Sequence, residues 1–147
     1  MYKRILVPTD GNECARRAED EAIRLAQATG GKITFLHVLQ SPSTVVPLPA
    51  LPDDLDYTLA KTFERIADEA LEAALKKAKE AGVEARAVLR RGDDVAYEIL
   101  QEAVGYDVIV MAPRRRSFKK WLLGSVTQAV LDRSPVPVLV VGCGGLE

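Results

Sequence analysis

Val108-Ile-Val-Met-Ala-Pro-Arg-Arg-Arg-Ser-Phe-Lys-Lys-Trp-Leu-Leu-Gly-Ser-Val126 is the stretch of sequence that decides the fold. Its first four residues, 108–111, form an unbroken apolar and largely β-branched run, which predicts a strand buried on both faces. Ala112-Pro113 ends this strand, and a strongly basic loop follows. Gly124-Ser125-Val126 then lies near the start of an amphipathic helix, where unpaired N–H groups and the positive end of the helix dipole favour an anion such as phosphate.

Strand patterns and amphipathic helix patterns alternate on both sides of this stretch. Strands are predicted at residues 3–8, 32–39, 83–90 and 138–141, in addition to 108–111. Helices are predicted at residues 12–29 and 55–81, from the turn at 92–94 to residue 104, and from the central stretch to about residue 134. The inward face of helix 55–81 is expected to carry Leu59, Phe63, Ile66, Ala70, Ala74 and Ala78. Four prolines between residues 40 and 54 predict an extended loop there.

Length and composition limit the kinds of protein that this chain can form. With 147 residues, of which 48% are hydrophobic, it suits a single domain over residues 1–147. Twenty basic against twenty-one acidic residues leave a net charge of −1, so no global field attracts nucleic acid or an anionic membrane. No apolar run is long enough to span a bilayer and no signal sequence is evident, so we expect a cytoplasmic protein.

Cys14 and Cys143 are too few and too distant in the sequence for a disulfide framework or a zinc site. We therefore expect two reduced thiols.

The alternation of five strands with four helices predicts an α/β fold with a doubly wound parallel sheet, in the strand order 3-2-1-4-5. In such a sheet the order reverses between the first and fourth strands, and ligands bind outside the carboxyl ends of the strands at that point. One side of the expected crevice is Pro8-Thr9-Asp10, and the other is formed by residues 111–125. Two segments a hundred residues apart are thus predicted to meet.

The remaining polar residues do not form a catalytic constellation. His37, the only histidine, has no Ser or Cys nucleophile placed beside it by a motif, so a structural role at the end of a strand is favoured. Asp93 and Asp94 are predicted to cap a helix rather than to bind a metal. A response-regulator receiver domain is excluded. It needs a phosphoacceptor Asp after the third strand and a Lys after the fifth, and this chain has Arg90-Arg91 and Gly142-Cys143 at those places. The sequence therefore predicts a protein that is not an enzyme.

Five segments, in order and spread over nearly the whole chain, resemble the universal stress protein family. They are Ile-Leu-Val-Pro-Thr-Asp at 5–10, Leu-His-Val at 36–38, Gly92-Asp93, Leu-Leu-Gly-Ser-Val at 122–126 and Ser-Pro-Val-Pro-Val-Leu-Val-Val at 134–141. The resemblance implies a flavodoxin-like domain of the adenine nucleotide alpha hydrolase-like kind, acting in the stress response. It also implies a homodimer in which the last strand, from Val138 to Val141, pairs with its counterpart in a second subunit.

Many members of this family bind ATP through Gly-x-x-Gly, nine further residues, and Gly-Ser or Gly-Thr. The resemblance implies an adenine and ribose site at Pro8, Thr9, Asp10 and the backbone of Val38, a ribose border at Met111 and Ala112, and phosphate contacts at Gly124, Ser125 and Val126. Mg²⁺ is expected only together with ATP. This chain departs from the motif, because Ala112 and Arg115 replace the two glycines and only eight residues separate Arg115 from Gly124.

Three functional interpretations of the basic loop, residues 114–120, remain open. In the first, Arg115 and its basic neighbours hold the phosphates of ATP with side chains in place of backbone. In the second, the loop closes the crevice and leaves a nucleotide-free interaction protein. In the third, its cations and aromatic residues contact nucleic acid weakly. The alternative to all three is a solvated loop. We expect a dimeric regulatory or interaction protein with a degenerate ATP site and an unknown protein partner.

Overall fold

The computed structural model describes residues 1–46, 51–113 and 124–143. These ranges form β1 (Arg4–Pro8), α1 (Glu13–Thr29), β2 (Lys32–Leu39), α2 (Pro42–Val45), α3 (Asp53–Glu80), β3 (Ala85–Arg91), α4 (Val95–Ala103), β4 (Val108–Met111), α5 (Ser125–Arg133) and β5 (Val138–Val140). Every predicted strand is present, with bounds that differ by at most two residues at either end. The basic loop, with Arg115 and residues 114–120, lies outside the described residues.

The five strands form one parallel sheet in the order β3-β2-β1-β4-β5, which confirms the predicted order. β1 lies at the centre, where Val7 is in register with Phe35 of β2 and Leu6 with Ile109 of β4. The chain winds from β1 outward to β3 and then returns to the other side of β1 with β4. The switch point therefore falls between β1 and β4, as the sequence predicts.

Helices cover both faces of the sheet, and alternate residues of β1 point to opposite faces. Ile5 and Val7 contribute to a core cluster with alanines of α1 and α3, including Ala22 and Ala74. Leu6 packs in a second cluster with residues of α4 and α5. Every residue of β4 is buried, as predicted for a strand covered on both faces.

Two predicted caps position the helices next to the switch point. The side chain of Asn12 accepts a hydrogen bond of 2.8 Å from the N–H of Ala15 and begins α1. The side chain of Asp94 accepts one of 3.1 Å from the N–H of Tyr97 and begins α4. Asp93, the other residue predicted to cap a helix, instead contacts the segment that follows β2.

The prediction of an extended loop from residue 40 to residue 54 is wrong in two places. Pro42–Val45 forms the short helix α2, and α3 begins at Asp53. Proline suits the first turn of a helix because its fixed φ is helical and its missing N–H would have no partner there. Pro42 therefore begins a helix after Ser41. Residues 47–50 lie outside the described ranges.

The predicted inward face of α3 is correct for its second half only. Ala74 and Ala78 are fully buried, whereas Ile66 is 47% exposed and Ala67 takes the buried position in that turn. The N-terminal half of α3 therefore does not bury its apolar residues against the sheet as the C-terminal half does.

The prediction of two reduced thiols is contradicted. Cys14 and Cys143 form a disulfide, with their Cα atoms 5.2 Å apart. Although 129 positions separate them in the sequence, α1 starts and β5 ends on the same side of the sheet, where the carboxyl ends of the parallel strands lie.

None of the helices in the described ranges is long and apolar enough to cross a membrane.

Candidate functional site

A cavity of about 470 Å³ opens at the carboxyl ends of the strands on either side of the switch point. Its volume falls in the range of roughly 300–1,000 Å³ that is usual for small-molecule sites. Nine of the ten residues predicted for nucleotide binding line it: Pro8, Thr9, Asp10, Val38, Met111, Ala112, Gly124, Ser125 and Val126. The tenth, Arg115, lies outside the described residues. The structure thus brings the predicted segments 8–10 and 111–126 to one place, as far as it describes them.

The turn after β1 is held by its own polar groups. The carboxylate of Asp10 accepts hydrogen bonds of 3.0 Å from both the backbone N–H and the side-chain amide of Asn12. The hydroxyl of Thr9 accepts one of 3.1 Å from the N–H of Gly11 and donates one to Glu19. Thr9 is only 6% exposed, its side chain is engaged in this way, and its backbone N–H donates to the oxygen of Leu36 at 2.8 Å, so its main contribution to the site is to hold the turn in place.

A buried carboxylate supports this turn from below. Glu19 of α1 is 2% exposed, accepts the Thr9 hydroxyl, and pairs with Lys77 of α3 at 2.9 Å. Partial burial opposes the charge of Lys77, but its hydrogen bonds and attraction to Asp20 and Glu19 together raise the pKa of Lys77 above its ordinary value. Sequence reasoning missed this network, although Glu19 stands between Ala15 and Ala22 on the apolar stripe of α1.

His37 fixes the other side of the same turn. Its Nδ1 lies 3.0 Å from the backbone oxygen of Thr9. A carbonyl oxygen can only accept, so Nδ1 carries the hydrogen and donates it. This agrees with the structural role at a strand end that the sequence favours for His37.

The opposite end of the cavity carries the backbone N–H groups at the start of α5. No described side chain caps α5, so the N–H groups at the start of this helix have no partner within it. Gly124 has φ +89°, a conformation that favours glycine, and places the chain at this helix start. Ala112, in contrast, does not adopt a positive φ, so the loss of the first motif glycine causes no backbone strain at that position.

An apolar wall that the sequence did not predict for the site completes the cavity. Val45 of α2 and Phe63 and Ile66 of α3 line it. The periodicity of α3 placed Phe63 and Ile66 on the inward face, but it did not show that this end of the face covers an opening rather than the sheet. The signal available was the large size of these two residues, since three of the four buried positions of the same helix are alanines.

Asp93 anchors this wall by holding the start of α2. Its carboxylate accepts hydrogen bonds from the backbone N–H of Ser41 at 2.9 Å and from the Ser41 hydroxyl at 3.0 Å. The backbone hydrogen bond, followed by those from the hydroxyls of Ser41 and Thr44, lowers the pKa of Asp93 below its ordinary value of 3.8.

Protonation of Asp93 should therefore loosen α2 only in acid. A lowered pKa means that the contribution of Asp93 is complete above pH 3.8 and is lost as the pH falls through its value in the folded protein. We expect the amide proton of Ser41, followed by NMR, to titrate with a midpoint below 3.8 while the amide of Phe35 reports an intact sheet. The step should vanish in Asp93→Asn; a step retained in this variant would assign it to another group.

Both the sequence and the fold of this chain match known proteins. The model of the universal stress protein family matches residues 1–142. The chain is 31% identical to universal stress protein YxiE of Bacillus subtilis, with 96% of this chain and 99% of that protein covered. The solved structure of MJ0577 from Methanocaldococcus jannaschii is 28% identical, covers 96% of both chains and has a TM-score of 0.78. A universal stress protein solved in complex with cAMP shares the fold, with a TM-score of 0.66. It is 24% identical, and the match covers 97% of this chain and 98% of that one.

Proposed function

The chain belongs to the universal stress protein family, and on that premise we propose that it is a regulatory protein of the stress response that binds an adenine nucleotide. The ligand that we favour is ATP, in the cavity between the ends of β1 and β4. The observation that carries this proposal is that the Thr9-Asp10 turn and the start of α5, which no described side chain caps, both line this cavity.

The two ends of the cavity suit the two ends of a nucleotide. Polar groups of the Asp10 turn and the strand end at Val38 provide hydrogen bonds for a base and a ribose. The N–H groups at the start of α5 and the positive end of its dipole suit phosphates. A relative with the same fold was solved with cAMP, which supports an adenine nucleotide as the class of ligand.

ATP should stabilise the protein by mass action. At a free concentration one hundred times its Kd, a ligand that binds only the folded state adds about 2.7 kcal/mol. For a chain of this length that corresponds to a rise in Tm of roughly 5–10 °C. Thermal-shift titrations with ATP, ADP and GTP measure it, and we expect a smaller shift with GTP. Absence of a shift at millimolar ATP would favour the nucleotide-free interaction protein.

Ser125→Asp separates binding from folding. A carboxylate in the first turn of α5 should leave the Tm of the free protein unchanged or raise it, because it complements the helix dipole. The same charge repels phosphates, so the shift with ATP should disappear. Ser125→Asn, of equal size but neutral, should keep most of the shift.

Arg115→Ala tests the contribution of the basic loop, and a shift abolished by this change would support side-chain contacts to the phosphates.

The same proposal includes a homodimer, without enzymatic activity, in the cytoplasm. β5 lies at one edge of the sheet and its Leu139 is 42% exposed. An apolar edge strand of this kind invites pairing with a second copy.

Mg²⁺ enters the proposal only with the phosphates of ATP, since no group of His, Cys, Asp or Glu in the described ranges could hold a metal ion.

A further inference from the structure

The disulfide joins the two walls of the candidate site. Cys14 lies in the first turn of α1, between Asn12 and Ala15, which both line the cavity. Cys143 lies three residues after β5. In this segment the N–H of Val141 donates to the oxygen of Met111, another cavity residue, at 2.8 Å. Neither cysteine lines the cavity itself, but the bond ties α1, next to Asn12 and Ala15 on one wall, to the segment that is hydrogen bonded to Met111 on the other.

One partner of the bond is fixed by the fold, and the other lies on a segment that can move. Cys14 is 3% exposed within a capped helix. Residues 141–143 form neither helix nor strand, and a Cβ added at Gly142 would meet nothing within 4 Å. Val141 packs against the first core cluster and is hydrogen bonded to Met111, so the freedom begins at Gly142. Rotation there lets Cys143 move away from Cys14 while Val141 stays in place.

We propose that Cys14 and Cys143 are a reversible thiol–disulfide pair that cross-links the two walls of the cavity when oxidised and releases them when reduced by a dithiol. The structural change stands by itself, while its effect on nucleotide affinity rests on the proposed function. The oxidised form holds the Asn12 turn and the end of β4 at a fixed separation. The reduced form leaves the end of β5 attached by backbone hydrogen bonds and packing alone.

The dithiol supplies both the electrons and the protons for this thiol–disulfide exchange. A thiolate of the dithiol attacks the sulfur of Cys143, the more exposed of the two residues. The disulfide breaks, and the electron pair and a proton go to the sulfur of Cys14. The second thiol of the reductant then attacks the mixed disulfide, releases Cys143 as a thiol, and leaves the reductant as a disulfide. Two electrons and two protons pass from the dithiol to the protein, and a disulfide oxidant reverses the reaction.

Dithiothreitol titration of the native protein tests this proposal. Thiol alkylation and mass spectrometry should show reduction without denaturant. Hydrogen exchange should then rise about tenfold at residues 12–15 and 138–141, as expected for local opening, and remain unchanged at Phe35. ATP affinity should fall about fivefold or more, the low end of typical coupling between sites. Cys14→Ser and Cys143→Ser should both reproduce the reduced form.

The outcomes separate this proposal from the proposed function. Reduction that requires unfolding, or exchange that is equal in the two redox states, would overturn the switch. Equal ATP affinity in both states would overturn its coupling to the site. If ATP binds neither form, the proposed function fails, and hydrogen exchange still decides whether the switch exists.

Discussion

Glu19→Ala should lower the free energy of unfolding by about 2–4 kcal/mol, because it leaves the buried Thr9 hydroxyl and Lys77 without their shared acceptor. The value lies below that of a fully buried pair, since the Lys77 side chain is 34% exposed and still reaches Asp20. ATP binding should weaken as well, because Glu19 orients the turn at Thr9. Urea denaturation and ATP titration measure the two effects.

Two variants show which part of the network is responsible. Glu19→Gln keeps an acceptor for the Thr9 hydroxyl but removes the charge that faces Lys77, so it should recover ATP affinity more than stability. Asp20→Asn removes the exposed partner of Lys77 and should cost less than about 0.5 kcal/mol. A loss from Glu19→Ala no larger than that from Asp20→Asn would refute a stabilising role for the buried carboxylate.

The contribution of the ion pair should also depend on pH. The raised pKa of Lys77 means that this contribution is complete below 10.5, the ordinary value, and is lost as the pH rises through the higher value in the folded protein.

The framework of the site could be predicted because it depends on strand order. Unbroken apolar runs such as 108–111 identify the strands, and parallel strands bring their carboxyl ends to one edge. Thr9 and Gly124 therefore had to meet if the order was 3-2-1-4-5. Helix caps were equally predictable, since Asn12 and Asp94 act through neighbours in the sequence.

Features that depend on distances between elements could not be derived in the same way. The sequence shows that Glu19 falls on the inward stripe of α1, but its partner Lys77 comes from α3, fifty-eight positions later. The cysteines presented the same difficulty. Their separation in the sequence argued against a bond, and only the placement of β5 beside β4 brings Cys143 within reach of Cys14.

Gly11→Ala should cost about 2–5 kcal/mol and should also weaken ATP binding. Gly11 has φ +80°, where an L-residue is strained by about 1–2 kcal/mol. In addition, an added Cβ would lie 2.8 Å from the Cβ of Ala70 on α3, and relieving such an overpacked contact costs about 1–3 kcal/mol. The turn would be pushed off α3 and would carry Asp10 with it. Chemical denaturation and ATP titration of the purified variant measure both consequences.

Gly82→Ala is the matched control for this prediction, because Gly82 has φ +75° and open space where its Cβ would lie. Its cost should be the backbone strain alone, so the difference between the two variants isolates the contact with Ala70. Adding Ala70→Gly to Gly11→Ala should recover about 1–3 kcal/mol relative to the sum of the single changes, although Ala70→Gly alone lowers stability by about 1 kcal/mol. Strict additivity would mean that α3 does not press on the turn at Gly11.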